Sequence, residues 1–247
     1  MNRTVICLAG FPIEVEHLYP SFSASAQPYR SEQEDCLFSV HISEQDLIEE
    51  RKKTEAEYRL EQKPPVSFSD RSLESTAIHR KIAEQLPRYG AVVFHGSAVA
   101  VGECAYLFAA RSGVGKTTHT RLWLNNIDGC FVVNGDKPIL RIMDAGVYVC
   151  GTPWKGKERL GCNKMVPLKA ICLLRRGEKN EIREIPFSEA FSDLLNQTYH
   201  PEDHTSLLDT LDFLKQLGGL VRFYRLTCNM EDDAAIIAYE GLTHENL

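Results

Sequence analysis

The sequence predicts an α/β fold: a core with a mixed, largely antiparallel sheet and helices packed around it, preceded by a small N-terminal α+β region. Three observations predict it. Between residues 91 and 150, short apolar runs are separated by tight turns, which is strand–turn–strand texture rather than repeated βαβ. One stretch, 105–124, passes from an apolar run through a glycine-containing loop into an amphipathic segment. Residues 44–62, by contrast, are highly charged and sparsely apolar, so the first third of the chain differs in character from the rest. The division expected is 1–87 and 88–247.

Composition narrows the class. With 247 residues, 43% hydrophobic and 25% charged, the chain resembles an ordinary soluble protein with ample material for a core. A net charge of −6 argues against non-specific nucleic-acid binding. No stretch approaches the roughly 20 apolar residues of a membrane span. The N-terminus is briefly apolar but meets Glu14 and Glu16 too soon for a signal peptide, so a first strand is expected there. The eight cysteines form no Cys-x-x-Cys pair, and no histidine lies at zinc-finger spacing from two of them. Reduced core thiols and a cytoplasmic location are expected. Homo-oligomerisation is left open.

Taken in order, residues 3–8 and 12–18 alternate as two strands joined at Gly10-Phe11-Pro12. Residues 19–35, rich in Ser, Pro and Gln, read as a loop or irregular strand, and 36–42 as a third strand. Ser43 reads as the N-cap of a charged helix or linker over 44–62, ended by Pro64-Pro65. Asp70 caps a helix over 71–86 with Leu73, Ala77, Ile78, Ile82 and Leu86 on its apolar face. Strands follow at 91–94 and 98–101, the latter turning at Gly102-Glu103 into 104–109. After a helix at 116–126 come strands at 130–133, 138–143, 146–150 and 168–174, with 181–185 as hairpin partner of the last. Helices at 187–199 and 202–217, a strand at 219–227 and a helix at 231–241 complete the chain.

The loop is Ala109-Ala110-Arg111-Ser112-Gly113-Val114-Gly115-Lys116-Thr117-Thr118. Strand, glycine loop, Lys, hydroxyl residue, helix is the layout of a Walker A phosphate-binding P-loop. Small residues let backbone N–H groups converge on phosphate oxygens, and the helix N-terminus adds donors and a positive dipole end. Arg111, Ser112, Gly113, Val114, Gly115, Lys116, Thr117 and Thr118 are the nucleotide-binding candidates. Lys116 is placed to meet the terminal phosphates and Thr117 the magnesium that accompanies a nucleotide. The usual first Gly of the motif is Ala110 here, and the alternative is a glycine turn that merely packs well. A magnesium–phosphate site also needs a carboxylate. Asp136 directly follows the apolar strand after the loop's helix; a surface Asn-Gly-Asp turn is the competing reading.

His95-Gly96-Ser97, Ser112-Gly113-Val114-Gly115-Lys116-Thr117, Asn134-Gly135-Asp136-Lys137 and Gly151-Thr152-Pro153-Trp154 occur in that order. Over about residues 88–227 this resembles the catalytic domain of HPr kinase/phosphorylase and its bacterial relatives, grouped with the nucleotide-binding core of phosphoenolpyruvate carboxykinases. The resemblance implies an ATP- and Mg²⁺-dependent kinase acting on a hydroxyl acceptor: a seryl residue of a protein or peptide, or a small molecule. It implies that Lys116, Asp136 and His95 are catalytic and that Thr117 and Asp136 hold the metal. Asp136 matches the second of two adjacent acids; the first is Gly135 here. That departure leaves open a nucleotide-binding sensor or partner protein with weak or no phosphotransfer. In the 151–164 loop Lys155, Lys157 and Arg159 bring cations, Arg159 the best suited to phosphate. Arg175 and Arg176 are secondary candidates, and Trp154 is a packing anchor or an adenine platform.

Overall fold

The computed structural model describes residues 1–60, 64, 66–111 and 113–243. Pro65 as a helix stop and Ser112 as a phosphate contact lie outside the described residues. The chain forms two compact units, Met1–Gln85 and Leu86–Leu247.

In the first unit, β1 (Asn2–Leu8) and β2 (Phe11–His17) form an antiparallel hairpin, and β3 (Phe38–His41) lies parallel to β2. Alternation puts Ile6, Leu8, Ile13 and Val15 inside. Residues 19–35 are not an irregular strand. They hold α1 (Pro20–Ser25), which starts on a proline, and a 3₁₀ turn at Gln27–Tyr29. Phe22, Ala26 and Tyr29, three or four residues apart, are buried and anchor this segment, a helical spacing hidden among polar neighbours. The buried Glu74 carboxylate accepts from the Leu18 and Tyr19 amides, tying the segment to α3 (Asp70–Gln85). Residues Glu44–Leu60 are helical (α2), entered through a reciprocal cap in which Asp46 N donates to Ser43 Oγ (3.3 Å) and Ser43 N to the Asp46 carboxylate (2.7 Å). Asp70 is the first residue of α3 and pairs with Arg51 at 2.7 Å.

The second unit is built on a mixed, curled sheet. Its strands are β4 (Ala91–Val93), β5 (Ser97–Val101), β6 (Cys104–Ala109), β7 (Phe131–Asn134), β8 (Ile139–Met143), β9 (Gly146–Cys150), β10 (Met165–Arg176), β11 (Glu181–Ile185) and β12 (Arg222–Cys228). The order is β4-β8-β9-β10-β6-β5-β7, with β12 on β10 and β11 on β12. Within this sheet only two pairings among the described residues are parallel, β6 with β10 and β10 with β12. β11 is therefore not the hairpin partner of β10. Residues 170–174 of β10 are buried throughout and need an apolar neighbour; β12 brings Phe223, Tyr224 and Leu226. The charged β11, with Glu181, Arg183 and Glu184 exposed, takes the edge instead.

β6 alternates cleanly. Ala105, Leu107 and Ala109 face one core, shared with α5 (Phe187–Gln197) and α6 (His204–Leu220). Tyr106 and Phe108 face the other, shared with α4 (Lys116–Asn126) and α7 (Asp233–Thr243). Trp123 of α4 is fully buried, its ring centroid 5.4 Å from Tyr106, 5.2 Å from Phe108 and 5.6 Å from Tyr239. That ring cluster seats α4 and so sets where its N-terminus points. α6 runs through Gly218-Gly219 to Leu220, past the expected stop. Gly218 is there for contact: a Cβ at that position would lie 2.7 Å from the Phe187 ring.

No described helix is long and apolar enough to cross a membrane. All eight cysteines are free.

Candidate active site

β6 ends at Ala109 and α4 begins at Lys116, so residues 110–115 join a buried central strand to a helix N-terminus. The connection needs left-handed backbone at Gly113 (φ 81°) and Gly115 (φ 127°), where a side chain would be strained. Val114 N donates to Arg111 O at 3.2 Å, closing the turn. The N-cap of α4 is Gly115, among the described residues no side chain caps the helix, and no acid sits in its first turn. Its N-terminal amides and dipole are thus left to an anion. Thr117 is exposed on that first turn. Arg176, at the end of β10, donates to the carbonyls of Val114 (3.1 Å) and Gly113, holding the loop from outside.

The Lys116 ammonium is turned back over the loop and donates to Ala110 O at 2.7 Å. Burial lowers its pKa; the nearby Asp136 carboxylate opposes that and Lys137 adds to it. Burial in turn raises the Asp136 pKa, against the pull of Lys137 and Lys116. The two groups therefore feel each other across the loop, each less well solvated than in water.

Asp136 is held by its neighbours' backbone. Asn134, fully buried, accepts from the amides of Asp136 (2.9 Å) and Lys137 (2.8 Å) and donates to the Thr152 hydroxyl at 3.0 Å. The Thr152 hydroxyl donates on to Lys137 O at 2.8 Å. The Asn-Gly-Asp turn is thus real, but it is a buried Asx turn that presents Asp136. His95 lies opposite. Phe94 N donates to Pro138 O at 2.9 Å and Gly96 N to Asp136 O at 3.0 Å, so the two backbones run bonded side by side. His95 Nε2 is 3.5 Å from Asp136 Oδ1, both side chains about a third exposed, at 32% and 34%. That distance couples the charges but is long for a hydrogen bond. With its amide nitrogen turned inward, Gln197 reaches His95 Nδ1 and Ala110 O, each at 3.2 Å. The same nitrogen is 3.1 Å from His95 O, so Gln197 ties the His95 backbone and ring to the start of the loop.

Position 135 looks away from this cluster. Gly135 N donates to Leu160 O at 3.0 Å, and a Cβ there would meet the carbonyls of Lys155 (3.2 Å) and Leu160 (3.3 Å). A side chain at 135 would start toward the 155–160 loop. That loop is pinned elsewhere too: Glu158 pairs with Arg121 of α4, and Lys155 Nζ donates to Gly161 O at 3.0 Å. Lys155 is thus committed within its own loop. Arg159 is exposed in a left-handed conformation (φ 53°), and its guanidinium makes no hydrogen bond or ion pair among the described residues. The loop that carries Arg159 packs close to Asp136 at Gly156, where a Cβ would lie 2.9 Å from the Asp136 Cβ. At the loop's base a Cβ on Gly151 would fall 1.8 Å from Cys162 O. We expect Gly151→Ala to cost about 3 kcal/mol, read as a lower denaturant midpoint with unchanged slope.

Two cavities flank the glycine loop. One of about 440 Å³ is lined by Ala110, Arg111, Arg175, Asp193, Asn196 and Gln197, among others. The other, of about 300 Å³, lies against Gly115, Thr118 and His119 of the loop and α4. Trp154 lines neither. Gln197 is a site-shaping residue that sequence reasoning missed, whereas Thr152 stood in the Gly151-Thr152-Pro153-Trp154 motif without a role of its own. Gln197 carries no local signal, since α5 reaches the loop only through the tertiary fold. Asn134 was legible as a turn former.

No family model matches the chain, and no curated protein matches it significantly. Among solved structures it is similar to the Hpr(Ser) kinase/phosphatase from Coxiella burnetii, at 14% identity over 51% of this chain and 96% of that one, with a TM-score of 0.27. A likeness that distant carries no weight for activity, and what the site does rests on its own residues.

Proposed function

We propose that the chain is an ATP-dependent kinase transferring the γ-phosphoryl group to a hydroxyl acceptor. The observation that carries this reading is the convergence of one half-buried cation, one half-buried carboxylate and one histidine on a glycine loop at a helix N-terminus whose N-cap is a glycine. Loop amides from 113–118 and Lys116 hold the triphosphate, Lys116 exchanging its carbonyl partner for phosphate oxygens. The donor set fits a magnesium ion that arrives on its nucleotide: the Thr117 hydroxyl and the Asp136 carboxylate are hard oxygen ligands. No group of three or more His, Cys, Asp or Glu among the described residues makes a metal cage of its own, so phosphate oxygens must complete the shell. Bound there, the ion would screen the phosphate charge.

The acceptor hydroxyl enters from the 440 Å³ cavity, whose wall Gln197 connects to His95. Its oxygen attacks the γ-phosphorus, the bond to the ADP oxygen breaks, and the hydroxyl proton passes to Asp136. Burial makes Asp136 a stronger base than a free aspartate. His95, its Nε2 3.5 Å from Asp136 Oδ1, stands beside the carboxylate that takes the proton. Arg111 and Arg175 bring positive charge to the cavity wall, where charge develops.

A second reading is a nucleotide-binding sensor without transfer. It is favoured by the missing side chain at 135, which leaves Asp136 to serve both metal and proton. The test follows γ-phosphate from Mg-ATP in the presence of seryl peptides and small hydroxyl compounds. Transfer to any of them supports the kinase; binding with no transfer to peptides, small hydroxyls or a whole-cell extract supports the sensor.

A further inference from the structure

Lys116 must let go of Ala110 O before it can meet a phosphate, and a second side chain already reaches that oxygen. We propose that Gln197 is a positioning residue for nucleotide binding: it takes over the Ala110 carbonyl when Lys116 turns to the phosphates, so that the lysine leaves no orphaned acceptor behind. The proposal rests on the nucleotide-binding reading of the glycine loop and adds how the loop passes from its empty to its filled state.

The shared acceptor comes first. Ala110 is buried and directly follows β6, where the strand gives way to the glycine loop. Its carbonyl accepts from Lys116 Nζ at 2.7 Å and, with the Gln197 amide nitrogen turned inward, from Gln197 Nε2 at 3.2 Å. Among the described residues no backbone amide donates to it. A carbonyl oxygen has two lone pairs, so both donors fit at once in the empty loop. The charged donor is close and the neutral one is at the long end of the range for such bonds. Departure of the ammonium leaves the amide room to tighten.

What keeps Gln197 in place comes second. It is the last residue of α5, it is buried, and its backbone is locked to the segment that carries His95. Gln197 O accepts from His95 N at 2.6 Å, Tyr199 N donates to Val93 O at 2.9 Å, and Phe94 and Thr198 form an antiparallel bridge between them. Thr198 bonds back to Leu194 O through its amide at 3.0 Å and its hydroxyl at 2.9 Å, which fixes the helix end. A donor so anchored does not follow the lysine, whose four-carbon stem is flexible. A buried acceptor left without a partner costs more than the bond itself contributes. Gln197 removes that cost from the bound state.

The experiment is a double-mutant cycle on the full chain with Mg-ATP as the probe. Gln197→Met keeps the length of the side chain and removes the donor. In the wild-type background it is expected to weaken Mg-ATP about three- to tenfold, because the carbonyl then loses its partner on binding. In the Lys116→Ala background it is expected to change affinity by less than about twofold, because the carbonyl then has the same partners with and without nucleotide. The nucleotide-free proteins supply a second measurement. Each single variant keeps one donor on Ala110 O and the double variant keeps none, so its melting temperature should fall by more than the two single shifts together. Gln197→Leu carries the same cycle with the same expectations where Gln197→Met does not fold. A residue that only packs would weaken Mg-ATP by one factor in both backgrounds and lower stability additively. Either of those results, or unchanged affinity in the wild-type background, overturns the proposal and leaves the reading of the loop standing. If the wild type binds no Mg-ATP, both fall together.

Discussion

Asp136→Asn is expected to lower γ-phosphoryl transfer by about 10²–10⁴-fold at saturating Mg-ATP, while the variant folds as the wild type does. The substitution keeps the size of the side chain and the backbone contacts that place it. The Asp136 amide still donates to Asn134, and the Asp136 carbonyl still accepts from Gly96. What is lost is the carboxylate that, on the proposed mechanism, accepts the hydroxyl proton. Nothing at position 135 can replace it, because a side chain there would start toward the Lys155 and Leu160 carbonyls. Single-turnover transfer separates this loss from any change in affinity. Turnover equal to that of the wild type would remove Asp136 from the chemistry and leave the phosphate loop untouched.

Lys116→Ala is expected to weaken Mg-ATP binding about 10- to 100-fold, the worth of a charge-assisted contact to phosphate. Transfer should fall further, since the lysine also meets charge that grows as the phosphoryl group leaves. Stability should hardly change. Burial lowers the lysine's pKa, so the folded state favours its charged form less than water does. By linkage, such a group contributes no stability at neutral pH from its charge. What the variant loses is one hydrogen bond to Ala110 O. Calorimetry and a thermal melt on the same preparation check both halves. A variant that loses affinity and unfolds together would make Lys116 a structural residue.

Much of the second unit was legible because its signals are local. The hairpin at Gly102-Glu103, the turn at 144–146 and the helix from Lys116 each follow from residues close in sequence. What was not legible is tertiary. Whether β11 pairs with β10 or β12 depends on which strand can fill a doubly covered position, and that comparison spans some 40 residues. Gly218-Gly219 reads as a helix stop until Phe187 is seen lying on it. Phe22, Ala26 and Tyr29 keep helical spacing, but Ser and Pro around them obscure it. In the site, Lys116, His95 and Asp136 stand in motifs with recognisable chemistry. Arg159 illustrates the limit: residue type and loop membership suggested a phosphate contact, and neither foretold its left-handed backbone. Gln197 could be found only from the fold, because it reaches His95 from a helix about 100 residues later.

Titration of Mg-ATP into the full chain, repeated in the presence of tripolyphosphate, tests the central claim most directly. One saturable site, displaced competitively by tripolyphosphate, is the expected result, since both ligands need the same loop amides and Lys116. No binding, or binding that tripolyphosphate leaves untouched, would contradict it, because the nucleotide would then not be held by residues 110–118.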